Sequence, residues 1–118
     1  MPPELPDLVD LQLNGFLGVD FSDPDLAPED AGRAARAVLD RGATAFLPTM
    51  ITSAKDVYAR NLALLADLCD DDEFAGSLPG IHAEGPFLNP APGLAGAHNP
   101  AWIRKPDPEF LHRMQEHA

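Results

Sequence analysis

The sequence predicts an α/β fold built on parallel strands, and three observations lead to this class. Short strand-like segments alternate along the chain with amphipathic helical segments, in the order β-α-β-α-β-loop-α. Thirteen prolines and nine glycines collect between these segments, as expected for short elements joined by shaped loops. The chain is 45% hydrophobic, which is too apolar for a disordered protein. Strands that alternate with helices pair in parallel through right-handed crossovers, so we expect a parallel sheet.

The first strand and the first helix follow from side-chain patterning and from helix-terminal residues. Residues 8–13 alternate apolar and polar side chains after Val9, and Asn14-Gly15 ends the predicted strand. A flexible loop containing Gly18 is expected next. Pro28 suits the first turn of a helix and Gly42 suits its C-terminal end. The apolar face of this helix consists of Ala31, Ala34, Ala35, Val38 and Leu39.

The second strand and helix are marked by a proline and by a capping pattern. Residues 43–47 form a β-prone run that Pro48 is expected to close. Ser53, with Asp56 three residues later, predicts a capping box at the start of the next helix. That helix ends at the acidic run 70–73, and its buried stripe consists of Tyr58, Leu62, Leu65 and Cys69.

A third strand, a long loop and a last helix complete the prediction. Residues 78–84 form the strand, and residues 85–106 form a loop rich in proline and glycine. Long loops in compact domains are usually functional. Asp107 and Pro108 suit the first positions of a helix whose apolar side consists of Phe110, Leu111 and Met114.

Composition and charge exclude several classes of function. Eight Lys and Arg against nineteen Asp and Glu give a net charge of −11, which argues against binding to nucleic acid or to anionic membranes. No apolar run reaches the ~18 residues that a membrane-spanning helix needs, and residues 1–4 show no secretory signal. A single cysteine, Cys69, excludes an intramolecular disulfide framework. We therefore expect a cytoplasmic protein.

Candidate functional side chains lie at the carboxyl ends of the predicted strands, where parallel α/β folds bind their ligands. These polar residues are Gln12, Asn14, Thr49, Thr52, His82 and Glu84. Glu84 precedes the rigid Gly85-Pro86 turn, and its carboxylate suits a divalent cation. Capping of a loop or pairing with an arginine is an equal alternative. His82 shares a strand face with Glu84 and forms a candidate chelating pair with it, whereas a satisfied, partly buried histidine is the alternative.

Three further residues are candidates for contacts with substrate. His98, in the long loop, can bind substrate or polarise a carbonyl group, although an ordinary surface histidine has the same pattern. Gln12 and Asn14 face one side of the first strand, where a His-x-His pair would bind a metal. Because neutral amides are poor ligands for zinc-like ions, we expect these two to bind water and substrate, or alternatively loop backbone groups.

Six motifs occur in order from about Leu5 to the end of the chain. They are DLQLNG at 10–15, GVDF at 18–21, GATAFLPT at 42–49, GIHAEGPFLN at 80–89, GAHNP at 96–100 and IRKPD at 103–107. Each motif is weak alone, but the ordered set around His-x-Glu-Gly-Pro-Phe is specific. Together they resemble the N-acetylglucosamine-6-phosphate deacetylase family of the amidohydrolase superfamily. Asp7 stands where that family usually has glycine, and this departure leaves the site residues unchanged.

The resemblance implies a (β/α)8 TIM barrel, of which residues 1–118 are a single segment with about the first three β/α units. The flanking β-sandwich domain and the later barrel strands would be absent. The implied reaction hydrolyses N-acetylglucosamine 6-phosphate, an amino sugar phosphate, to glucosamine 6-phosphate and acetate, with one divalent metal ion, zinc or iron. The family is commonly oligomeric, with a neighbouring subunit contributing to its phosphate site, so the full-length protein is expected to be a homo-oligomer.

The resemblance also implies a role for each site residue. Glu84 would be a metal ligand, Ala97 and His98 would contact the substrate, and Gln12 and Asn14 would be accessory residues at the metal site. No catalytic residue is expected within this chain, because the family's aspartate and its two histidine ligands would lie beyond residue 118.

We therefore expect a fragment of a deacetylase that is inactive by itself. Two alternatives remain open. One is a non-catalytic acidic α/β fragment that docks on a partner chain, and the other is an amidohydrolase of another amide substrate. By resemblance, the GAH sequence at 96–98 argues against another substrate.

Overall fold

The computed structural model describes residues 6–118, and within them it has five strands and three α-helices. The strands are β1 (Leu8–Leu13), β2 (Gly15–Phe16), β3 (Val19–Asp20), β4 (Ala43–Ile51) and β5 (His82–Glu84), and the α-helices are α1 (Pro28–Asp40), α2 (Lys55–Asp70) and α3 (Pro108–His117). Two 3₁₀ helices cover Asp72–Phe74 and Pro100–Trp102. The start of the resemblance at Leu5 and the segment 1–4 lie outside the described residues.

The predicted parallel sheet is confirmed. It contains three strands in the order β1-β4-β5, with β4 in the centre and both neighbours parallel to it. Thr49 pairs with His82 and Ile51 pairs with Glu84, so the ends of β4 and β5 are in register. The carboxyl ends of the strands therefore meet at one edge of the sheet.

The second strand is longer than predicted, because Pro48 does not close it. β4 continues through Pro48 to Ile51. The β1–β4 ladder is irregular between Asp10 and Leu13, where Leu13 faces Pro48. The Leu13 N–H donates to Thr49 Oγ1 at 3.1 Å, so the side chain of Thr49 takes up a backbone donor beside the proline. A proline is tolerated within a strand at such an irregular position.

Two further predictions about the strands and loops were wrong. The third strand covers only His82–Glu84 instead of residues 78–84. The predicted flexible loop after β1 contains an antiparallel hairpin, in which β2 pairs with β3. The Phe21 N–H donates to Asn14 O at 3.0 Å and fixes the hairpin against the end of β1.

The predicted capping box at Ser53 is also wrong. The N-cap of α2 is Ala54, which makes no side-chain capping bond, and Ser53 Oγ donates to Ile51 O at 2.9 Å. The cap of α3 is confirmed, since Asp107 Oδ1 accepts from the N–H groups of Glu109 and Phe110. Leu111, predicted on the apolar side of α3, is 44% exposed.

The core lies between the sheet and the helices and includes the predicted faces of α1 and α2. Ala31, Ala34, Ala35 and Val38 are buried, and Leu39 packs partly buried against them. α3 packs on α2 through an edge-to-face contact between Tyr58 and Phe110, with ring centroids 6.0 Å apart. Such aromatic pairs contribute about 0.5–1.5 kcal/mol beyond area burial.

The outer strand β1 exposes several large apolar side chains among the residues that the structure describes. Leu8, Val9 and Leu11 are 48%, 55% and 65% exposed. A groove of about 800 Å³ runs along β1 and reaches Val38 and Arg41 of the first helical unit. None of the helices in residues 6–118 is both long enough and apolar enough to cross a membrane.

Candidate active site

A polar cavity of about 650 Å³ lies beyond the carboxyl ends of the strands, next to the β2–β3 hairpin. Its walls come from four parts of the chain: the residues after β1, the β2–β3 hairpin, the carboxyl ends of β4 and β5, and the loop 94–98. Its lining residues are Asn14, Gly15, Val19, Asp20, Ile51, Glu84, Leu88, Leu94, Ala95, Gly96, Ala97 and His98. The sheet edge predicted from the strand-end polar residues therefore does form a cavity.

Glu84 ends β5 and presents its carboxylate to this cavity with 31% of the side chain exposed. Asn14 Nδ2 donates to Glu84 Oε2 at 2.9 Å, across a separation of 70 residues in sequence. This hydrogen bond lowers the pKa of Glu84, whereas the partial burial of the carboxylate raises it. Hydrogen bonds from His98 and Gln12 lower the pKa further by smaller amounts. The carboxylate is therefore held ionised. An arginine partner, the alternative prediction, is not observed among the described ion pairs, in which Glu84 pairs with His98.

His98 belongs to the cavity and not to the open surface. Its side chain is only 12% exposed. Nε2 lies 3.3 Å from Glu84 Oε1, and Nδ1 lies 2.8 Å from the hydroxyl of Thr52. The Thr52 backbone N–H also donates to Nδ1 at 3.3 Å. The ring is thus held between the end of β4 and the end of β5, and the ordinary surface histidine of the alternative prediction does not describe it.

Gln12, Asn14 and Ala97 lie close to Glu84 or to the cavity that it faces. The side-chain amide of Asn14 donates to Glu84. The alternative prediction was a bond from this amide to backbone groups of a loop, and the described side-chain hydrogen bonds of Asn14 do not include one. Gln12 contributes a side-chain hydrogen bond that lowers the pKa of Glu84. Ala97 lines the cavity directly beside His98. All five predicted site residues therefore converge on one carboxylate or on the cavity that it faces.

His82 is occupied by a backbone group. Its Nδ1 lies 2.9 Å from Leu11 O, on the outer strand β1. This is the satisfied histidine of the alternative prediction. It ties β5 to β1 across β4, while Glu84 reaches Asn14 at the end of β1 in the same way.

Glu84 fits one position in the ligand set of a divalent cation, because an ionised carboxylate at a polar cavity is a hard oxygen ligand. Among residues 6–118 no group of three or more His, Cys, Asp or Glu side chains is arranged to hold a metal ion. The described residues thus supply one carboxylate that suits a cation, the amides beside it and one neighbouring imidazole.

Two residues of the site were not assigned a role from sequence. Thr52 is 1% exposed and contacts His98 through both its backbone and its hydroxyl. Asp20 lines the cavity from β3, with Oδ1 accepting from the Ser22 N–H at 2.8 Å. The position of Thr52 after the second strand was a sequence signal that it could belong to the site. For Asp20 the only sequence signal was its place in the GVDF motif, because the hairpin that carries it was not predicted.

These features define a parallel α/β protein with a carboxylate–imidazole site at the strand ends. No protein-family model matches the chain. Curated sequences do match it, and they are N-acetylglucosamine-6-phosphate deacetylases. The Mus musculus protein is 38% identical over 111 residues, covering 91% of this chain and 26% of its own length. The Bacillus subtilis protein is 31% identical over 117 residues, covering 97% of this chain and 28% of its own length.

The solved structures that match this chain are also deacetylases of N-acetylglucosamine 6-phosphate. An N-acetyl-D-glucosamine-6-phosphate deacetylase variant from Mycobacterium smegmatis, in complex with N-acetyl-D-glucosamine 6-phosphate, matches with a TM-score of 0.79 and 30% identity over 95% of this chain and 27% of its own. The Pasteurella multocida enzyme matches with a TM-score of 0.76 and 28% identity over 94% of this chain and 28% of its own. The chain is therefore related, in sequence and fold, to the N-acetylglucosamine-6-phosphate deacetylases, and the resemblance drawn from its motifs is confirmed. It spans about a quarter of the length of these relatives.

Proposed function

We propose that this chain is the early-barrel part of a metal-dependent deacetylase that hydrolyses N-acetylglucosamine 6-phosphate to glucosamine 6-phosphate and acetate. The observation that carries the proposal is the convergence of Asn14, Glu84 and His98 from three separate segments on one cavity. The names of the related proteins, and the substrate present in one related structure, support the choice of substrate.

We also propose that β1, β4 and β5 with their helices are the first three strands of a (β/α)8 barrel. Two features support this architecture. The order β1-β4-β5 is parallel and sequential, as the start of a barrel requires. The exposed apolar residues of β1 provide an edge that a further strand of a longer protein would cover.

The contacts of the site residues support the roles that we propose for them. Glu84 would hold one divalent metal ion, zinc or iron, with its other ligands outside the described set. The metal, when bound, supplies Lewis-acid activation of the amide carbonyl and of water. Asn14 and Gln12 orient Glu84 and keep it ionised. His98 places a ring nitrogen at the cavity, where a donor stabilises the charge that develops on the acetamide oxygen. Ala97, beside it, leaves room for the substrate.

The charge of the cavity bears on the rest of the substrate site. Its walls carry Asp20 and Glu84 but neither lysine nor arginine among the described lining residues. A phosphate group needs cationic or N–H donors, so we propose that another part of the protein or a neighbouring subunit of a cytoplasmic homo-oligomer supplies them.

The deciding experiment places this chain in the position of the matching segment of the Mus musculus relative and measures acetate release from N-acetylglucosamine 6-phosphate. We expect activity that requires divalent metal. Glu84→Gln should abolish it, while Glu73→Gln, which only breaks an exposed pair with Arg36, should leave it intact. The isolated chain should release no acetate. A folded chimera that hydrolyses other amides but not this substrate would contradict the choice of substrate.

A second candidate function has one observation in its favour. The exposed apolar side chains of Leu8, Val9 and Leu11 also suit a non-catalytic segment that docks on a partner chain. The same chimera separates the two functions, because a docking segment would assemble without restoring metal-dependent activity.

A further inference from the structure

Thr52 is buried beside His98 and contacts one ring nitrogen of the histidine twice. Its backbone N–H donates to His98 Nδ1 at 3.3 Å, and its hydroxyl oxygen lies 2.8 Å from the same nitrogen. The residue is 1% exposed, so water does not compete for these groups. A side chain at the neighbouring Gly85 would collide with Thr52 Oγ1, which shows how closely the hydroxyl is enclosed.

A backbone N–H group can only donate a hydrogen bond. The nitrogen that receives it must therefore offer a lone pair, which excludes a proton on His98 Nδ1. In the neutral ring the single proton is then on Nε2. The hydroxyl of Thr52 can donate or accept a hydrogen bond. Because Nδ1 carries no proton, the hydroxyl donates to it. The Nε2–H donates to Glu84 Oε1 at 3.3 Å, on the side of the cavity.

We propose that Thr52 is a positioning residue that sets the tautomer of His98, so that the cavity is offered an N–H donor instead of a lone pair. The two tautomers have different chemistry. With the proton on Nε2, His98 donates a hydrogen bond to an oxygen in the cavity, as stabilisation of an oxyanion requires. With the proton on Nδ1, the nitrogen at the cavity would be an acceptor and a base. The consequence for catalysis rests on the proposed deacetylase function, but the tautomer itself does not.

Nitrogen-15 NMR of the 118-residue chain in alkaline buffer tests the assignment directly. We expect the Nδ1 of His98 to show the chemical shift of an unprotonated ring nitrogen and Nε2 that of a protonated one. A scalar coupling between the Thr52 backbone nitrogen and Nδ1 should report the N–H···N hydrogen bond. A proton on Nδ1, or the averaged shifts of a free imidazole, would overturn the proposal.

Three variants separate positioning from a general loss of structure. Thr52→Val replaces the hydroxyl by a methyl group and should raise the fraction of the Nδ1–H tautomer about five-fold, since it removes one hydrogen bond. Thr52→Ser keeps the hydroxyl and should restore the original shifts. Thr49→Val is the matched control, because Thr49 is equally buried and its hydroxyl also bonds backbone groups but does not contact His98. Unchanged His98 shifts in Thr52→Val, or equal changes in Thr49→Val, would contradict the role of Thr52.

This experiment distinguishes failure of the tautomer proposal from failure of the proposed function. The NMR measurement needs neither substrate nor metal. A correct tautomer in a protein without deacetylase activity would leave the positioning role intact and remove only its catalytic meaning.

Discussion

Gly85 connects the end of β5 to the site, and Gly85→Ala is the most informative single substitution. Gly85 has a φ of +95°, a conformation that costs an L-residue about 1–2 kcal/mol. A Cβ at this position would also overlap Thr52 Oγ1. The hydroxyl can move away only by giving up its contact with His98 Nδ1. The substitution thus perturbs the backbone and the site together.

The two costs can be separated with Gly93. Its φ of +83° is similar, but a Cβ there would meet no atom within 4 Å. Gly93→Ala should therefore show the backbone cost alone, about 1–2 kcal/mol. Gly85→Ala should add about 1 kcal/mol for the lost hydrogen bond, or up to about 3 kcal/mol if Thr52 stays and the atoms remain crowded. The gain from restricting the unfolded chain applies to both variants and cancels in the comparison.

Urea denaturation followed by circular dichroism measures both variants against the unchanged chain. We expect Gly85→Ala to lower the free energy of unfolding by about 1–3 kcal/mol more than Gly93→Ala does. The His98 ring nitrogens should shift in Gly85→Ala only. Equal destabilisation of the two variants, with unchanged His98 signals, would refute the packing of Gly85 against Thr52.

Two further predictions concern the core. Asn61 is fully buried, and its amide donates to the carbonyl oxygens of Phe21 and Asp23 at 3.0 and 2.7 Å. Asn61→Leu should therefore lower the free energy of unfolding, measured by denaturant titration, by about 2–4 kcal/mol. As a control, Asn89→Ala in the exposed loop should change it by less than about 1 kcal/mol. Burial, with a contribution from Asp70, raises the pKa of the Cys69 thiol to about 11, so iodoacetamide should alkylate it slowly at neutral pH unless the chain is denatured. Because the folded chain holds this proton more tightly than the unfolded chain, the stability it contributes is complete below pH 9 and is lost as the pH rises towards 11. Cys69→Ala should lack that loss, and an identical pH dependence in both proteins would contradict the burial of the thiol.

Periodicity was sufficient to predict the three α-helices, because this signal is local, and terminal residues added the correct start for α1 and α3 but not for α2. Pro28 and the alanine-rich face located α1, and Asp107 with Pro108 located the start of α3. Strand bounds were less predictable, since they depend on a neighbouring strand. Pro48 lies inside β4 at an irregular position of the β1–β4 ladder, where the Leu13 N–H donates to the hydroxyl of Thr49. No pattern within residues 43–51 reveals this contact with β1.

The site shows the same division between local and distant information. The sequence by itself determined the α/β class, the order of the helices and of the strands in the parallel sheet, and the choice of Gln12, Asn14, Glu84 and His98 as candidates, because chain order and residue chemistry are local properties. Ala97 was chosen through the family resemblance alone. Only the tertiary structure decided their partners. Asn14 reaches Glu84 across 70 residues and His98 reaches Thr52 across 46. Such contacts depend on the register of β4 with β5 and on the path of the loop 85–106. The hydrogen bonds of the site, and which atom donates in each of them, are therefore fixed only when the chain folds.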